Sequence, residues 1–333
     1  MKKLLWATLI AVLAAAALAW SGWQRYEAFL AKPLAIPPGG SVQTIAQGST
    51  GADIVRQLAA AGLTDPRWEW RLLMRLEPRV YRAGEYRLEP GAGPREVLEK
   101  FSSGDVIHYP LTLVEGWSFR QLANAVAANG VLRHEYRLDD PEQWPALLAE
   151  LGLEHPEGWF LPETYLFVRG DSDLDLLRRA NQAMRDALQL AWDSRDIGLP
   201  LESPYELLIL ASIMEKETAL DDERHEIAGV FARRLQKGMR LQTDPTVIYG
   251  IGEAFDGDIR RRDLESDTPY NTYTRHGLPP TPIAMPGRAS LLAAAQPAPG
   301  DTLYFVANGE GGHTFSVTLE QHQAAVRKLL ERD

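Results

Sequence analysis

The chain begins with an apolar run that is long enough to cross a membrane. Lys2 and Lys3 precede residues 4–20, which are apolar except for Thr8. A membrane-spanning helix needs about 20 such residues, and positive charge before it predicts an N-terminus in the cytoplasm. We therefore expect residues 1–23 to form a cytoplasmic tip and a single transmembrane anchor. A cleaved signal peptide is the alternative, because Ala17-Leu18-Ala19 is a small-residue pattern typical of cleavage sites.

The segment after the anchor has short apolar periods that predict a small α+β subdomain. Residues 24–38 predict a tether, because they run into the turn-forming sequence Pro37-Pro38-Gly39-Gly40. Residues 39–110 then alternate between helical and strand periodicity. The predicted helices cover residues 51–58, 68–76 and 94–101, and the predicted strands cover residues 84–88 and 107–114.

Residues 111–333 predict a larger mixed α/β domain, so the fold class as a whole is α+β. Helical periodicity covers residues 119–128, 141–151, 174–192 and 222–236, and a final strand pair covers residues 303–307 and 314–317. Between residues 244 and 287 the chain is rich in Pro, Gly, Asn, Thr and Tyr and has little regular periodicity. Long loops of this kind are usually functional or disordered, and the many aromatic residues favour an ordered one.

An apolar helix that ends in two carboxylates carries the strongest candidate chemistry. Ser203 is a predicted N-cap, Pro204 follows it, and residues 207–214 are apolar around most of the helix, which predicts burial. At about 100° per residue, Glu217 falls on the apolar arc, whereas Glu215 points roughly 200° away from Glu217, at the margin of that arc. An apolar setting and the negative end of a helix both raise the pKa of a carboxyl group, so Glu217 is a candidate general acid. Two solvated glutamates at a frayed helix end are the alternative.

The motifs around this helix form a long, ordered set. It consists of EGWFLPETY at 157–165, EKET at 215–218, LQTDPT at 241–246, YNTY at 270–273, LPPTPI at 278–283 and GGHTF at 311–315. In this order the motifs resemble the endolytic murein transglycosylase (MltG, or YceG-like) family, and the resemblance extends from the anchor to about residue 320. Thr281 departs from the family pattern, which commonly has Gly at this position.

The resemblance implies an enzyme that cleaves the β-1,4 bond between N-acetylmuramic acid and N-acetylglucosamine in nascent peptidoglycan strands. In the family's reaction the C6 hydroxyl of the muramoyl sugar attacks its own anomeric carbon and leaves a 1,6-anhydro end. One carboxyl group serves both as acid and as base, so the second carboxylate of ordinary glycosidases is dispensable. The family's catalytic glutamate maps to Glu217, which helical geometry also favours.

The resemblance also implies where the enzyme works. It implies an uncleaved single-pass anchor in the bacterial inner membrane, with the catalytic domain (residues 111–333) in the periplasm. The expected role is termination of glycan polymerisation, with peptidoglycan synthases (penicillin-binding proteins) as candidate partners. Residues 39–110 correspond to a LysM-like subdomain associated with glycan binding, and a spacer that only packs against the catalytic part is the alternative.

Other residues of these motifs have the chemistry of a sugar-binding cleft. Glu215 is a candidate supporting carboxylate, and a buried hydrogen bond to an adjacent loop is its alternative role. Asp244 is a candidate helper carboxylate, although Asp before Pro also shapes turns. The candidate substrate-binding residues are amides, hydroxyls and aromatics: Gln242, Thr243, Tyr270, Asn271, Thr272 and Tyr273. We expect this set to converge on Glu217, and a loop that satisfies its own polar groups is the alternative.

Two smaller groups of residues have ambiguous roles in the sequence. Trp159, Phe160 and Tyr165 belong either to the cleft or to the core. His313 follows two glycines and is a candidate substrate contact, while His322 lies on the predicted terminal helix. The glycine-rich sequence just before His313 predicts a hairpin turn.

Composition narrows the possible functions further. The net charge is −10 without a marked basic face, which argues against a nucleic-acid partner. The absence of cysteine excludes disulfides and thiolate sites, and there is no HExxH motif, Walker loop or dinucleotide fingerprint, so no metal or cofactor is expected. Two functions compete with the transglycosylase: a non-catalytic, membrane-anchored glycan-binding scaffold, and a hydrolase on the same fold that leaves a reducing end.

Overall fold

The computed structural model of the chain describes residues 2–331. Residues 1, 332 and 333, the outer ends of the predicted cytoplasmic tip and catalytic domain, lie outside the described part. The chain divides into two compact units. The first runs to Tyr109 and includes Val168–Gly170, and the second comprises Pro110–Phe167 and the chain from Asp171 onwards. Each unit mixes helices with short strands, in agreement with the predicted class.

The first unit begins with a helix that is longer than the predicted anchor. This helix, α1 (Lys2–Ala31), contains an apolar stretch, Leu5–Ala31, that is long enough to cross a membrane by length and composition. It continues through residues 24–31, where we predicted a tether. The reason is tertiary packing: Tyr26 is only 2% exposed and belongs to the hydrophobic core of this unit.

The rest of the first unit packs three helices beside a two-stranded antiparallel sheet. Its elements are β1 (Ser41–Ile45), α2 (Gly51–Ala60), α3 (Trp68–Leu76), β2 (Gly84–Leu88) and α4 (Pro94–Ser103). Ser41 pairs with Leu88, and Ile45 pairs with Gly84. The core is formed by fully buried side chains such as Ile54, Leu58, Trp70, Tyr86 and Phe101. The three predicted helices and the strand at 84–88 are confirmed, while β1 was not predicted.

The second unit is mainly helical and contains two small sheets. Its strands are β3 (Tyr109–Thr112), β4 (Thr164–Phe167), β5 (Tyr304–Ala307) and β6 (His313–Ser316). Its helices are α5 (Phe119–Ala127), α6 (Trp144–Leu151), α7 (Asp173–Asp193), α8 (Pro204–Glu217), α9 (Asp221–Gln236), α10 (Asp244–Ile251), α11 (Arg261–Glu265), α12 (Arg288–Ala295) and α13 (Leu319–Leu330). Short 3₁₀ turns occupy Pro141–Gln143 and Gly252–Ala254. Strand β3 pairs with β4, and β5 pairs with β6.

Helix α8 lies at the centre of the second unit. Its N-cap is Ser203, as predicted, and the Ser203 hydroxyl accepts a hydrogen bond from the Glu206 N–H at 3.3 Å. Residues 207–214 are all buried, because α7, α9 and α12 cover the helix. This burial on nearly every side explains why the helix is apolar around most of its circumference.

The turn-rich segment at 244–287 is more regular than its composition predicted. It contains α10 and α11, and a buried helix that the sequence analysis did not find, α12, follows it directly. The Asp244-Pro245 pair begins a helix rather than a turn, because both residue types also favour the first helical turn. Helix α12 is short and rich in alanine, so its apolar pattern carries little helical periodicity of its own.

The C-terminal hairpin has the predicted strands and turn. Tyr304 pairs with Ser316, and Ala307 pairs with His313, in an antiparallel register. Gly309 and Gly311 have φ angles of 76° and 90°, which favour glycine. The hairpin places β5 and the first residue of β6 beside the C-terminal end of α8, where they line a common cleft with Glu217.

Candidate active site

A cleft of about 450 Å³ opens at the C-terminal end of α8. Its lining comes from five parts of the second unit, namely α8, α9, the 242–244 segment with Tyr273, the hairpin and α13. The lining residues are Glu217, Arg234, Gln242, Thr243, Asp244, Tyr273, Tyr304, Phe305, Val306, Ala307, His313, Leu319, His322 and Val326. Within residues 2–331 no cluster of three or more His, Asp or Glu side chains is arranged to hold a metal ion.

Glu217 is the last residue of α8 and projects into this cleft. Its side chain is half-buried, and its Oε1 atom accepts a hydrogen bond from the Thr243 hydroxyl. Burial among protein atoms raises the pKa of Glu217 to about 7, although the Thr243 hydrogen bond opposes the rise. The nearby charge of Asp244 raises this pKa further, while His313 and Arg234 lower it. A substantial fraction of Glu217 is therefore protonated at neutral pH, as its position on the apolar arc predicted.

A tight turn before α10 positions the Thr243 hydroxyl. Gln242 has a φ angle of 50°, which is uncommon for a residue with a side chain. Its N–H donates to the Thr272 carbonyl at 3.2 Å, and the Thr243 N–H donates to the Thr272 hydroxyl at 3.0 Å. Thr246 adds a hydroxyl contact with Thr272 at 2.9 Å. These buried hydrogen bonds fix the backbone from which Thr243 reaches Glu217.

Asp244 and Tyr273 form a second polar pair in the cleft. The Tyr273 hydroxyl donates to Asp244 Oδ1 at 2.6 Å. Burial raises the pKa of Tyr273 well above its usual range, and the hydrogen bond to the Asp244 carboxylate adds to the rise. Tyr273 therefore remains a neutral donor, and Asp244 remains close enough to Glu217 to influence its charge.

The 270–273 motif reaches the cleft only through Tyr273. Asn271 is buried, and its side-chain amide donates to the carbonyls of Asp263, Leu264 and Ser266 at 2.6–3.1 Å. Thr272 is buried behind Thr243 and bonds to its backbone. Both residues hold the loop together, which corresponds to the self-satisfied alternative in the sequence analysis.

Tyr270 also lies outside the cleft lining. Its ring packs on Tyr249 with a centroid distance of 4.9 Å, and its hydroxyl contacts the Thr281 hydroxyl at 2.9 Å. Among residues 2–331, Gln242 is the one non-glycine residue with a positive φ, so Thr281 has an ordinary backbone conformation. The LPPTPI turn therefore accommodates Thr281 without strain.

Glu215 points away from the cleft to the start of α12. Its Oε2 atom accepts hydrogen bonds from the Gly287 N–H at 2.9 Å and from the Ser290 hydroxyl at 2.7 Å. Gly287 is the N-cap residue of α12 and has no side chain with which to cap the helix. Glu215 supplies the missing acceptor, and the helix dipole favours its negative charge there. The geometry agrees with the structural alternative for Glu215.

Arg234 is the cleft residue whose role the sequence analysis missed. It is only 6% exposed, and its guanidinium group donates to the carbonyls of Leu303, at 2.7 Å, and Leu241. It also lies over the Tyr304 ring at 5.2 Å from the centroid. A signal for it existed, because Arg234 lies three residues after Phe231 and so falls on the apolar face of α9.

The aromatic residues of the 157–165 motif belong to the core. Phe160 is fully buried and stacks on Phe119 with a centroid distance of 5.4 Å. Trp159 stacks on Tyr205 at 5.9 Å, and the Tyr165 hydroxyl donates to the Leu161 carbonyl at 2.8 Å. None of the three lines the cleft around Glu217.

Comparison with known proteins shows which family the chain belongs to. The profile of the YceG-like family matches residues 43–328, which is most of the chain. The chain belongs to the YceG-like family. The chain is similar to a crystal structure of a YceG-like protein from Listeria monocytogenes, with a TM-score of 0.55 and 31% sequence identity. The match covers 86% of this chain and 98% of the Listeria chain.

Two curated relatives of this YceG-like chain carry a functional name. The endolytic murein transglycosylase of Bacillus subtilis (strain 168) is 34% identical over 266 residues, which cover 75% of this chain and 73% of the relative. The endolytic murein transglycosylase of Streptococcus pneumoniae (strain ATCC BAA-255 / R6) is 27% identical over 281 residues. That match covers 74% of this chain and half of the longer Streptococcus protein.

Proposed function

We propose that this protein is an endolytic murein transglycosylase in which Glu217 is the acid catalyst. The relatives from Bacillus subtilis and Streptococcus pneumoniae carry the same functional name. The observation that carries the residue assignment is a half-buried carboxyl group with a pKa of about 7 in an open cleft. A general acid works best when its pKa lies near the working pH, because both protonation states are then available.

The reaction needs one proton donor and no water. The bond between C1 of N-acetylmuramic acid and O4 of N-acetylglucosamine breaks, and O4 takes the proton of Glu217. The C6 oxygen of the same muramoyl sugar bonds to C1, and the proton that it releases restores the acid. The product strand ends in a 1,6-anhydro sugar. Such an intramolecular attack requires no carboxylate nucleophile and no carboxylate that activates water.

Other cleft residues supply the contacts that a glycan strand needs. Asp244 is a helper carboxylate, because its charge favours the protonated form of Glu217. Gln242 offers an amide to sugar hydroxyls, and Tyr273 offers an aromatic ring to the apolar side of a sugar. For Tyr270, Asn271 and Thr272 we propose positioning of the loop rather than direct binding.

The anchor determines the compartment in this proposal. Helix α1 crosses the bacterial inner membrane once, with its N-terminus in the cytoplasm and the catalytic unit in the periplasm. The natural substrate is then the nascent glycan strand, whose cleavage terminates polymerisation near peptidoglycan synthases. Sequencing the N-terminus of the mature protein tests the anchor, since a start near Trp20 would reveal a cleaved signal peptide.

For residues 39–110 we propose a LysM-like role in binding the same glycan. The family profile begins at residue 43 and so includes nearly all of this subdomain. The proposal predicts that residues 24–110, which include Tyr26 of the same core, sediment with purified sacculi. Failure of a folded segment to sediment would leave it as a spacer.

The deciding experiment compares two glutamate variants of the same helix. Glu217→Gln keeps size and hydrogen-bonding capacity but removes the acidic proton, so release of 1,6-anhydro products should fall by about 10²- to 10⁴-fold. Glu215→Gln is the matched control, because Glu215 contacts α12 and not the cleft, and it should retain activity. Mass spectrometry of products from purified sacculi provides the measurement, with thermal melts to verify folding.

The same product analysis separates the competing functions. Reducing ends instead of 1,6-anhydro ends would indicate a hydrolase. Binding to sacculi without any product from the wild-type protein would indicate a scaffold. If Glu215→Gln abolished release in a folded protein while Glu217→Gln retained it, the acid would be Glu215.

A further inference from the structure

His313 lines the cleft and is held by Glu223, which is not a lining residue, and neither has a role in the mechanism above. His313 begins β6, and Glu223 lies in the first turn of α9. One oxygen of Glu223 accepts the His313 backbone N–H at 2.8 Å, and the other contacts the His313 ring at Nδ1 at 2.6 Å. Both side chains are largely buried. The Glu223 carboxylate contacts both the backbone and the ring of His313, so these two contacts fix the orientation of the imidazole.

The local sequence permits this close approach. A Cβ atom on Gly312 would lie 2.6 Å from Glu223 Oε1, so only glycine leaves room for the carboxylate there. Phe305 packs against the imidazole edge to face, with a centroid distance of 5.3 Å. The two glycines before His313 therefore serve the placement of the ring as well as the hairpin turn.

The pair determines which ring nitrogen is available to a ligand. Burial opposes ionisation of Glu223, but hydrogen bonds from the His313 ring and backbone lower the pKa of this carboxyl below its usual value. Glu223 is thus ionised, and Nδ1 must donate its proton to it. In the neutral ring Nε2 is then the unprotonated nitrogen, and within residues 2–331 it makes no hydrogen bond. The ring lines the same cleft as Glu217.

With Glu217 as the one acid and base, it must give its proton to O4 before it accepts the proton of the C6 hydroxyl. Thr243 occupies its Oε1 atom, which leaves Oε2 for the substrate. If C1–O4 cleavage and C1–O6 formation overlap in time, the same oxygen would have to release one proton while receiving another. A second acceptor removes this conflict, and His313 Nε2 is a free nitrogen acceptor in the cleft.

We propose that His313, oriented by Glu223, is a second catalytic residue that accepts the proton of the C6 hydroxyl during cleavage. The inference rests on the proposed transglycosylase function and deepens it. As the C1–O4 bond breaks, O4 takes the proton of Glu217. As the C1–O6 bond forms, the O6 proton passes to Nε2. The imidazolium then returns its proton to the Glu217 carboxylate, directly or through solvent, and both groups regain their starting states.

His313 lies among several other ionisable groups. Those that contact the ring or share the cleft with it are Glu217 on α8, Glu223 and Arg234 on α9, Asp244 on α10, Tyr273, Tyr304 on β5 and His322 on α13. The proposed role of Glu217 predicts that kcat/KM falls on the alkaline side, where Glu217 loses its proton.

The test measures kcat, KM and pH profiles for release of 1,6-anhydro products by the full-length chain in detergent. His313→Gln should lower kcat by about 10²-fold or more and leave KM within a few-fold, because glutamine accepts no proton. Glu223→Gln should also lower kcat, since an amide donor at Nδ1 favours the tautomer with a proton on Nε2. The double variant should be no slower than His313→Gln, because Glu223 acts through His313.

A histidine outside the cleft provides the matched control. His134 also lies near a carboxylate, 3.7 Å from Asp173, but does not line the cleft, so His134→Gln should keep the wild-type rate and profile. If His313→Gln folds poorly, the assay uses His313→Ala instead. Added imidazole should then restore the turnover of this variant. A folded His313→Gln protein with a wild-type kcat, or a His313→Ala protein whose turnover added imidazole fails to restore, would overturn the inference.

The outcomes of the two proposals remain distinguishable. An inactive Glu217→Gln variant beside an unaffected His313→Gln variant would refute the role of His313 alone. A fully active Glu217→Gln variant would refute the acid assignment on which both proposals depend.

Discussion

The hydrogen bond from Thr243 to Glu217 leads to a quantitative prediction about the working pH. Thr243→Val removes the hydroxyl that donates to Glu217 Oε1 and keeps nearly the same shape. Thr243 has extended backbone angles, φ −120° and ψ 123°, which valine also favours. The substitution should therefore remove one interaction with the charged form of Glu217 without displacing the turn.

The size of the effect follows from the strength of hydrogen bonds to charged groups. Such bonds contribute about 1.5–3 kcal/mol, and one pKa unit corresponds to about 1.4 kcal/mol. Because the Thr243 hydroxyl stabilises the carboxylate, its loss should raise the pKa of Glu217 by about 1–2 units. The alkaline limb of kcat/KM should then move from about 7, the pKa of Glu217 in the structure, to about 8–9.

The assay is the pH dependence of kcat/KM, measured as 1,6-anhydro product release at substrate concentrations below KM. Thr246→Val is the matched control, because it removes a buried hydroxyl that bonds to Thr243 and Thr272 but not to Glu217. It should lower stability while leaving the alkaline limb in place. An unchanged alkaline limb in folded Thr243→Val protein would show that Glu217 does not set this limb or that Thr243 does not influence it.

Two further predictions concern carboxyl groups outside the cleft. Glu157 is 4% exposed and accepts hydrogen bonds from the Phe119 N–H and the Tyr249 hydroxyl, yet burial raises its pKa to about 7. Because this pKa is higher in the folded protein than in the unfolded chain, the Glu157 contribution to the free energy of unfolding should fall as the pH rises from about 4.5 to above 7. The expected loss is about 3 kcal/mol. Glu157→Gln should lack this loss, because glutamine does not ionise. Urea unfolding of both proteins across this range measures the difference, and a gap that stays constant with pH would contradict the reasoning. Glu215→Gln should lower the Tm by about 2–4 °C, because a charge worth about 1 kcal/mol leaves the N-terminus of α12. Ser290→Ala should also lower the Tm, because it removes the hydrogen bond from the Ser290 hydroxyl to Glu215. An unchanged Tm in both variants would argue against Glu215 as the cap of α12.

The sequence by itself determined the elements whose causes are local. The apolar period and the Ser203 cap predict α8, and the turn residues at 309–312 predict the closing hairpin. The position of Glu217 on the apolar arc predicted its raised pKa, because burial of one helical face follows directly from the 3.6-residue period. These features depend on contacts between residues that are near one another in the chain.

Only the tertiary structure decided which of the motif residues share the cleft. Gln242, Thr243 and Asp244 line it together with Tyr273, whereas Asn271 and Thr272 hold the loop from behind. The sequence pattern does not separate these cases, because the same amide or hydroxyl can bind a sugar or satisfy a buried carbonyl. The choice depends on which groups lie nearby after folding.

The clearest example is the pair of carboxylates on α8. Glu215 and Glu217 are two residues apart, so local geometry separates their directions but does not name their partners. Glu215 meets the uncapped N-terminus of α12, and Glu217 meets Thr243 in the cleft. His313 joins that cleft from a strand 96 positions later in the chain (313 − 217). No local periodicity encodes such long-range contacts, because they arise from how the helices and the hairpin pack around α8.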